Sequence, residues 1–280
     1  MRIGLVSDSP CDLPADLVER YNIEIVPAIL ILEGQSYLDG VDITRAAFYQ
    51  RLPALRSAPT TAAPSPAVFA GHYQKLLNAG CDHVIAIFTA EKLTSMSNIA
   101  RSAATEFPGQ VSVLESGSLS LGIGYQVLAA AEAIQKGLQL QEVLAAIQST
   151  RERLRIYAAL DTIEYVRRSG RVPHAVAALG GLLSIKPVVE LREGTVRALG
   201  APRTTRQATE KLHNLLIELG PLERLSILHT NAEHRAAEFL ERLNAAPGAA
   251  LPADIRLINV TTVIGTHVGP NGLGLALVKQ

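Results

Sequence analysis

An apolar run at the start of the chain, Ile3, Leu5 and Val6, passes without a break into Ser7-Asp8-Ser9. Such a run reads as a parallel strand covered on both faces. The carboxyl end of such a strand is where open α/β sheets take their ligands. The arrangement recurs: Val84 to Phe88 precedes Thr89, Thr94, Ser95 and Ser97, and Val111 to Leu114 precedes the Gly- and Ser-rich stretch Ser116 to Gly124. Helical patterns separate these runs, and the alternation predicts a doubly wound parallel sheet. Asp12 is placed to cap a first helix with Pro14 in its first turn, and Leu13, Leu17 and Tyr21 recur on one face. The alternative role for Asp8 and Ser9 is to tie down the turn.

Glu24 to Leu32 reads as a strand with Pro27 inside it, which favours an edge or a bulge. Thr44 can cap a helix running through Leu52, and Ser65-Pro66 opens another that Gly80 closes. Between them, Ser57 to Pro64 is irregular and too polar for a core strand. A helix from Leu140 to about Leu154 bridges to a second unit, where the pattern changes. Ile156 to Leu160 is a strand, Arg167 to Arg171 a basic loop, and Val188 to Leu199 a hairpin turned at Glu193-Gly194. A hairpin beside helices suggests α+β. With 280 residues the chain suits two cores. The expected division is an N-terminal Rossmann-like α/β domain, 1–150, and a C-terminal α+β domain, 151–280.

Lys plus Arg and Asp plus Glu number 26 each, so no basic field exists to gather nucleic acid. Cys11 and Cys81 are too few for a disulfide framework or a cysteine-built zinc site. No secretory segment precedes the first strand, and every apolar run is interrupted before membrane-spanning length. The expectation is a soluble cytoplasmic protein without a membrane span. No phosphate loop, dinucleotide fingerprint or nucleophile elbow occurs, and the histidines lack metal-ligand spacing. His267 stands among Gly265, Gly269, Pro270 and Gly272, where an imidazole N–H can either reach a carboxylate or only brace a turn. Arg171 is either a solvated charge or a guanidinium aimed at an anion. A Ser-His-Asp set drawn from Ser7 or Ser9, His267 and Asp8 would need adjacent residues on opposite sides of one imidazole. Hydroxyls with one His and one Arg describe an anion clamp better than a reaction centre.

These residues resemble the DegV family, whose members include the FakB-type fatty acid binding subunits of bacterial fatty acid kinases. The resemblance rests on Ser7-Asp8-Ser9 with Asp12-Leu13-Pro14, Val26-Pro27, Tyr37-x-Asp39, Pro59 to Pro66 and Leu93-Thr94-Ser95. It continues through Ser116 to Gly124, Ile163-Glu164-Tyr165, Ser169-Gly170-Arg171, Lys186-Pro187 and His267-x-Gly269-Pro270. It implies a DegV-like two-domain α/β protein holding one long-chain fatty acid in a tunnel between the domains, with no other cofactor. The ligand carboxylate would be met by Thr61, by a hydroxyl at Thr89 or Thr94, and by His267. Ser9 and Arg171 would be contacts for ligand or partner. The resemblance also implies a non-catalytic carrier that presents the acid to a separate ATP-dependent kinase subunit.

One departure bears on the ligand. Ala90-Glu91 replaces the serine expected at the carboxylate, and a glutamate aimed there would repel a fatty acid. Either Glu91 turns to solvent while Thr89 or Thr94 supplies the hydroxyl, or the ligand differs. The other readings are a serine/histidine-type lipid or ester hydrolase using Ser9 or Thr61 with His267, and a binding module for another small acid.

Overall fold

A computed structural model describes residues 1–170, 185–246 and 251–280. The opening run forms β1 (Ile3–Asp8), buried at every residue. It lies inside a four-stranded parallel sheet in the order β2 (Ile23–Val26), β1, β6 (His83–Phe88), β7 (Val111–Glu115). Leu5 stands opposite Ile23 on one side and Ile85 on the other. The helices α3 (Pro66–Asn78) and α4 (Met96–Ala104) cover one face through Phe69, Tyr73, Leu76 and Met96. The other face is covered by α5 (Leu121–Gln135).

A second, six-stranded sheet is built wholly from later residues. Its order is β10 (Thr195–Gly200), β9 (Val188–Arg192), β8 (Leu154–Ala159), β13 (Leu273–Lys279), β11 (Leu222–His229), β12 (Ile255–Asn259). Every pairing is antiparallel except β11 with β12. The helices α8 (Thr205–Ile217) and α9 (Glu233–Asn244) bury Leu212, Leu216 and Phe239 on one face. The opposite face meets α5 and α6 (Leu140–Arg153), so α5 lies between the two sheets. The expected hairpin is present, with Glu193 and Gly194 both at positive φ. Its tip docks on the first half: Gly194 N–H donates to Gly117 O at 2.7 Å, and Arg151 joins Glu115 at 3.2 Å to Glu193 at 2.6 Å.

Three local expectations are corrected. Glu24 to Leu32 is two strands, because the chain leaves the parallel sheet at Pro27, whose ring nitrogen has no hydrogen for the ladder. The second piece, β3 (Ile29–Leu32), joins β4 (Gln35–Leu38) and β5 (Thr60–Ala62) in a small antiparallel sheet ordered β4-β3-β5. Part of the stretch read as irregular, Ser57 to Pro64, is therefore β5, an edge strand whose polarity suits a half-exposed rim. The basic segment begins as a short helix, α7 (Glu164–Arg168), in which Arg168 pairs with Glu164 at 2.7 Å. Arg171 lies outside the described residues.

Asp12 does not cap α1 (Ala15–Arg20); Pro14 holds the N-cap position. Asp12 adopts a left-handed conformation, φ 55°, and turns its fully buried carboxylate inward. Oδ2 accepts Ser120 Oγ at 2.6 Å, and Oδ1 accepts Thr261 N–H at 2.8 Å with Arg45 at 3.3 Å. One side chain thus joins the β1 loop, the start of α5 and the entry to the last helix. Removing a buried hub leaves its donors unsatisfied. Asp12→Ala is expected to lower the unfolding free energy by about 1–3 kcal/mol in urea denaturation; a variant as stable as the parent would show that the tie is dispensable.

Candidate ligand-binding site

A cavity of about 270 Å³ opens between the carboxyl ends of the parallel strands and the six-stranded sheet. Its wall is mainly apolar, with Leu93, Met96 and Leu119 from the first half facing Ile156, Leu191 and Leu228 from the second. Ala62 and Ser95 line it and are also exposed, which places an opening beside Thr61 and Thr94.

Thr61 sits on β5 opposite Leu30, and cross-strand partners share a face of the sheet, so its hydroxyl is carried inward with Leu30. His267, expected in a glycine loop, lies in the last turn of a helix, α10 (Thr262–Val268). Two glycines let that helix settle. A Cβ on Gly265 would meet the Tyr49 hydroxyl at 2.5 Å, and one on Gly269 would meet the Tyr165 ring at 2.2 Å. Gly269 also has φ 76°, a conformation natural to glycine. Thr61 Oγ1 and His267 Nε2 are 3.1 Å apart on the cavity wall.

Thr94 and Thr89 also line the cavity. Thr94 is half-buried, with its backbone N–H on Ala90 O at 3.2 Å. Thr89 is bound from below: its N–H and hydroxyl both donate to Asp8 Oδ2, at 3.0 and 2.7 Å. A ligand carboxylate would therefore meet the Thr89 oxygen unless that hydroxyl turns. Ser9 is not on the cavity wall; its hydroxyl accepts Ala28 N–H at 3.2 Å and fastens the bend after Pro27. Ser7 donates to Ile87 O at 2.8 Å. The members of the Ser-His-Asp reading are thus engaged separately: Ser7 and Ser9 with backbone, and Asp8 with Thr89. Glu91 is exposed and paired with Arg101 on the surface, away from the cavity. Among the described residues no group of three His, Cys, Asp or Glu is placed to hold a metal ion, and no helix is long and apolar enough to cross a membrane.

Periodicity did not single out Ser120 or His229, yet both line the cavity. Ser120 has φ 54° and ψ −146°, a strained region for a residue with a Cβ that costs about 1–3 kcal/mol. Its bond to Asp12 holds it there. The only signal for it was its place in the Ser116 to Gly124 stretch. His229 ends β11, one residue beyond the run Leu225 to Leu228 that reads as apolar strand.

Burial pushes the Asp8 carboxyl up to about 6, against the two Thr89 donors, with Asp12 nearby acting in the same direction as burial. Because the folded value exceeds the unfolded one, the fold favours the protonated form. That contribution is complete below the unfolded pKa of about 4 and is lost as the pH rises through 6. Asp8→Asn keeps an acceptor for Thr89 but cannot titrate. We expect it to remove about 1 kcal/mol of the gain in stability between pH 7.5 and pH 5, measured by urea denaturation; an unaltered pH slope would count against Asp8 as the source.

The likeness to known proteins runs from end to end. Residues 2–280 match the model of the family "Uncharacterised protein, DegV family". A DegV domain-containing protein of Streptomyces coelicolor is 31% identical over 282 residues, covering 99% of each chain. The solved structure entitled "Fatty Acid Binding of a DegV family Protein from Thermus thermophilus" superposes with a TM-score of 0.92 at 34% identity, covering 100% of both chains. DegV of Bacillus subtilis, described as a fatty acid binding protein, gives 0.88 at 25% identity, also over 100% of both. In sequence and in its two-domain α/β architecture, this chain belongs to the DegV family.

Proposed function

We propose that this protein binds one long-chain fatty acid in the cavity between its halves, residues 1–150 and 151–280. Its carboxylate would be held by Thr61 and His267, with Thr94 beside them. The observation that carries this reading is the Thr61–His267 pair, 3.1 Å apart, set in a mainly apolar wall near an opening. The solved relatives described as fatty acid binding proteins point to the same ligand class.

The physical requirements are modest. Each buried methylene contributes about 0.8 kcal/mol, so a long acyl chain supplies most of the gross affinity and the head group needs only orientation. A carboxylate buried with the chain must be hydrogen-bonded; once it displaces the bond between Thr61 and His267, the hydroxyl and the imidazole N–H provide two donors. Glu91, tied to Arg101 on the surface, does not bring its charge to the head-group region. By resemblance to the FakB-type subunits, the proposal extends to presenting the acid to a separate ATP-dependent kinase subunit. Acyl phosphate formed only when such a subunit and this protein are combined would support that step.

Native mass spectrometry of the purified protein, followed by solvent extraction, tests the ligand. The expected result is one fatty acid per chain; protein that is empty and also refuses added oleate and palmitate would sink the proposal. Thr61→Val and His267→Ala are each expected to weaken fatty acid binding about tenfold, the loss of one hydrogen bond to a charged group. Fluorescent fatty acid displacement reads this, and unchanged affinity in His267→Ala would remove that residue from the clamp.

A further inference from the structure

The cavity carries a second polar group that the carboxylate clamp does not use. His229, at the carboxyl end of β11, is 5% exposed and forms part of the wall. Its Nδ1 accepts Ala232 N–H at 3.1 Å, so the neutral ring bears its hydrogen on Nε2. No described residue accepts that hydrogen, and Nε2 keeps some accessible surface on the cavity, so its partner is whatever occupies that space. His229 stands on a different element from the clamp residues. Val260 N–H donates to His229 O at 2.9 Å, and the segment from Val260 to His267, most of it α10, spans roughly 10 Å at the helical rise.

The character of the donor narrows what it meets. Burial holds the imidazole below its usual pKa; Glu233 opposes that shift and Arg45 adds to it. The ring is therefore a neutral donor, suited to an uncharged oxygen more than to a second carboxylate. Leu228, Val260 and Leu273 share this part of the wall with Thr230, whose hydroxyl oxygen already accepts the Gly272 N–H at 2.6 Å.

We infer that His229 recognises an oxygen function part-way along the bound acyl chain, a hydroxyl or a keto group, so that the favoured ligand is an oxygenated long-chain acid. This rests on the proposed fatty acid binding and adds the ligand class to it. Two matched pairs test it: oleate against ricinoleate, and stearate against 10-hydroxystearate, each titrated into delipidated protein.

In at least one pair the hydroxy acid is expected to bind about five- to tenfold more tightly than its plain partner. His229→Leu should abolish that preference while the plain acid still binds. Because this change also removes the acceptor for Ala232 N–H, His229→Asn serves as the second variant. Its shorter amide can still accept that N–H but withdraws the donor, and it should lose the preference too. Equal affinities in both pairs, as when an ordered water already occupies the donor, would overturn the inference, as would a preference that survives in both variants. Failure of the parent to bind any of the four acids would instead overturn fatty acid binding itself, and this inference with it.

Discussion

Helix α5 has no free face. It packs on β1 and β6 of the parallel sheet and on β8 and β13 of the six-stranded sheet, and most of its residues are buried. A helix enclosed on two sides must be apolar nearly all round and narrow where backbones approach. The run of Ala129, Ala130, Ala131 and Ala133 meets the first need. Gly124 meets the second, since a Cβ there would lie 2.9 Å from the Cys11 carbonyl. The few polar groups on α5 find partners across the junction: Tyr125 donates to Ser226 Oγ at 2.8 Å, and Glu132 pairs with Arg224 at 2.6 Å. The sheets are joined through this helix, and their mutual distance and angle follow from its packing.

The cavity is the space that remains past the N-terminal end of α5. There the parallel strands finish in hydroxyl-bearing loops, and the six-stranded sheet passes opposite with aliphatic side chains. The polar residues at this level divide by what they face. Ser120 and Thr261 both donate to Asp12 and bind the halves together. Asp8 is spent on Thr89. Thr61, Thr94, His267 and His229 are left on the wall. Polar residues at the strand ends are thus split in space into a layer that ties the sheets together and a layer on the cavity wall.

That split accounts for the residues placed differently from expectation. Ser9, two residues beyond Ser7, faces the bend at Pro27-Ala28 because the chain must leave the sheet there and the Ala28 N–H needs an acceptor. Glu91 faces outward because Arg101, on the helix α4 that follows it, holds it at the surface. His267 reaches the cavity from a helix end, and Tyr49 and Tyr165 decide its position by packing on Gly265 and Gly269.

The alternation of short apolar runs with helical segments determined the order of strands and helices, the burial of β1 and β6, and the hairpin at Glu193-Gly194, because these depend on local periodicity and turn geometry. Ordered motifs spread along the chain determined the family and, through that resemblance, named Thr61, Thr89, Thr94 and His267 as candidate carboxylate contacts. Only the tertiary structure decided that Pro27 divides a strand between two sheets, that Asp12 is a hub and not a cap, and that β5 emerges from a polar stretch. It alone brought Thr61 within 3.1 Å of a histidine 206 residues away and set His229 on the same wall. The physical reason is common to all of these. Each depends on which groups are desolvated together, and that is settled by the packing of two sheets on one helix, over separations that local periodicity does not span.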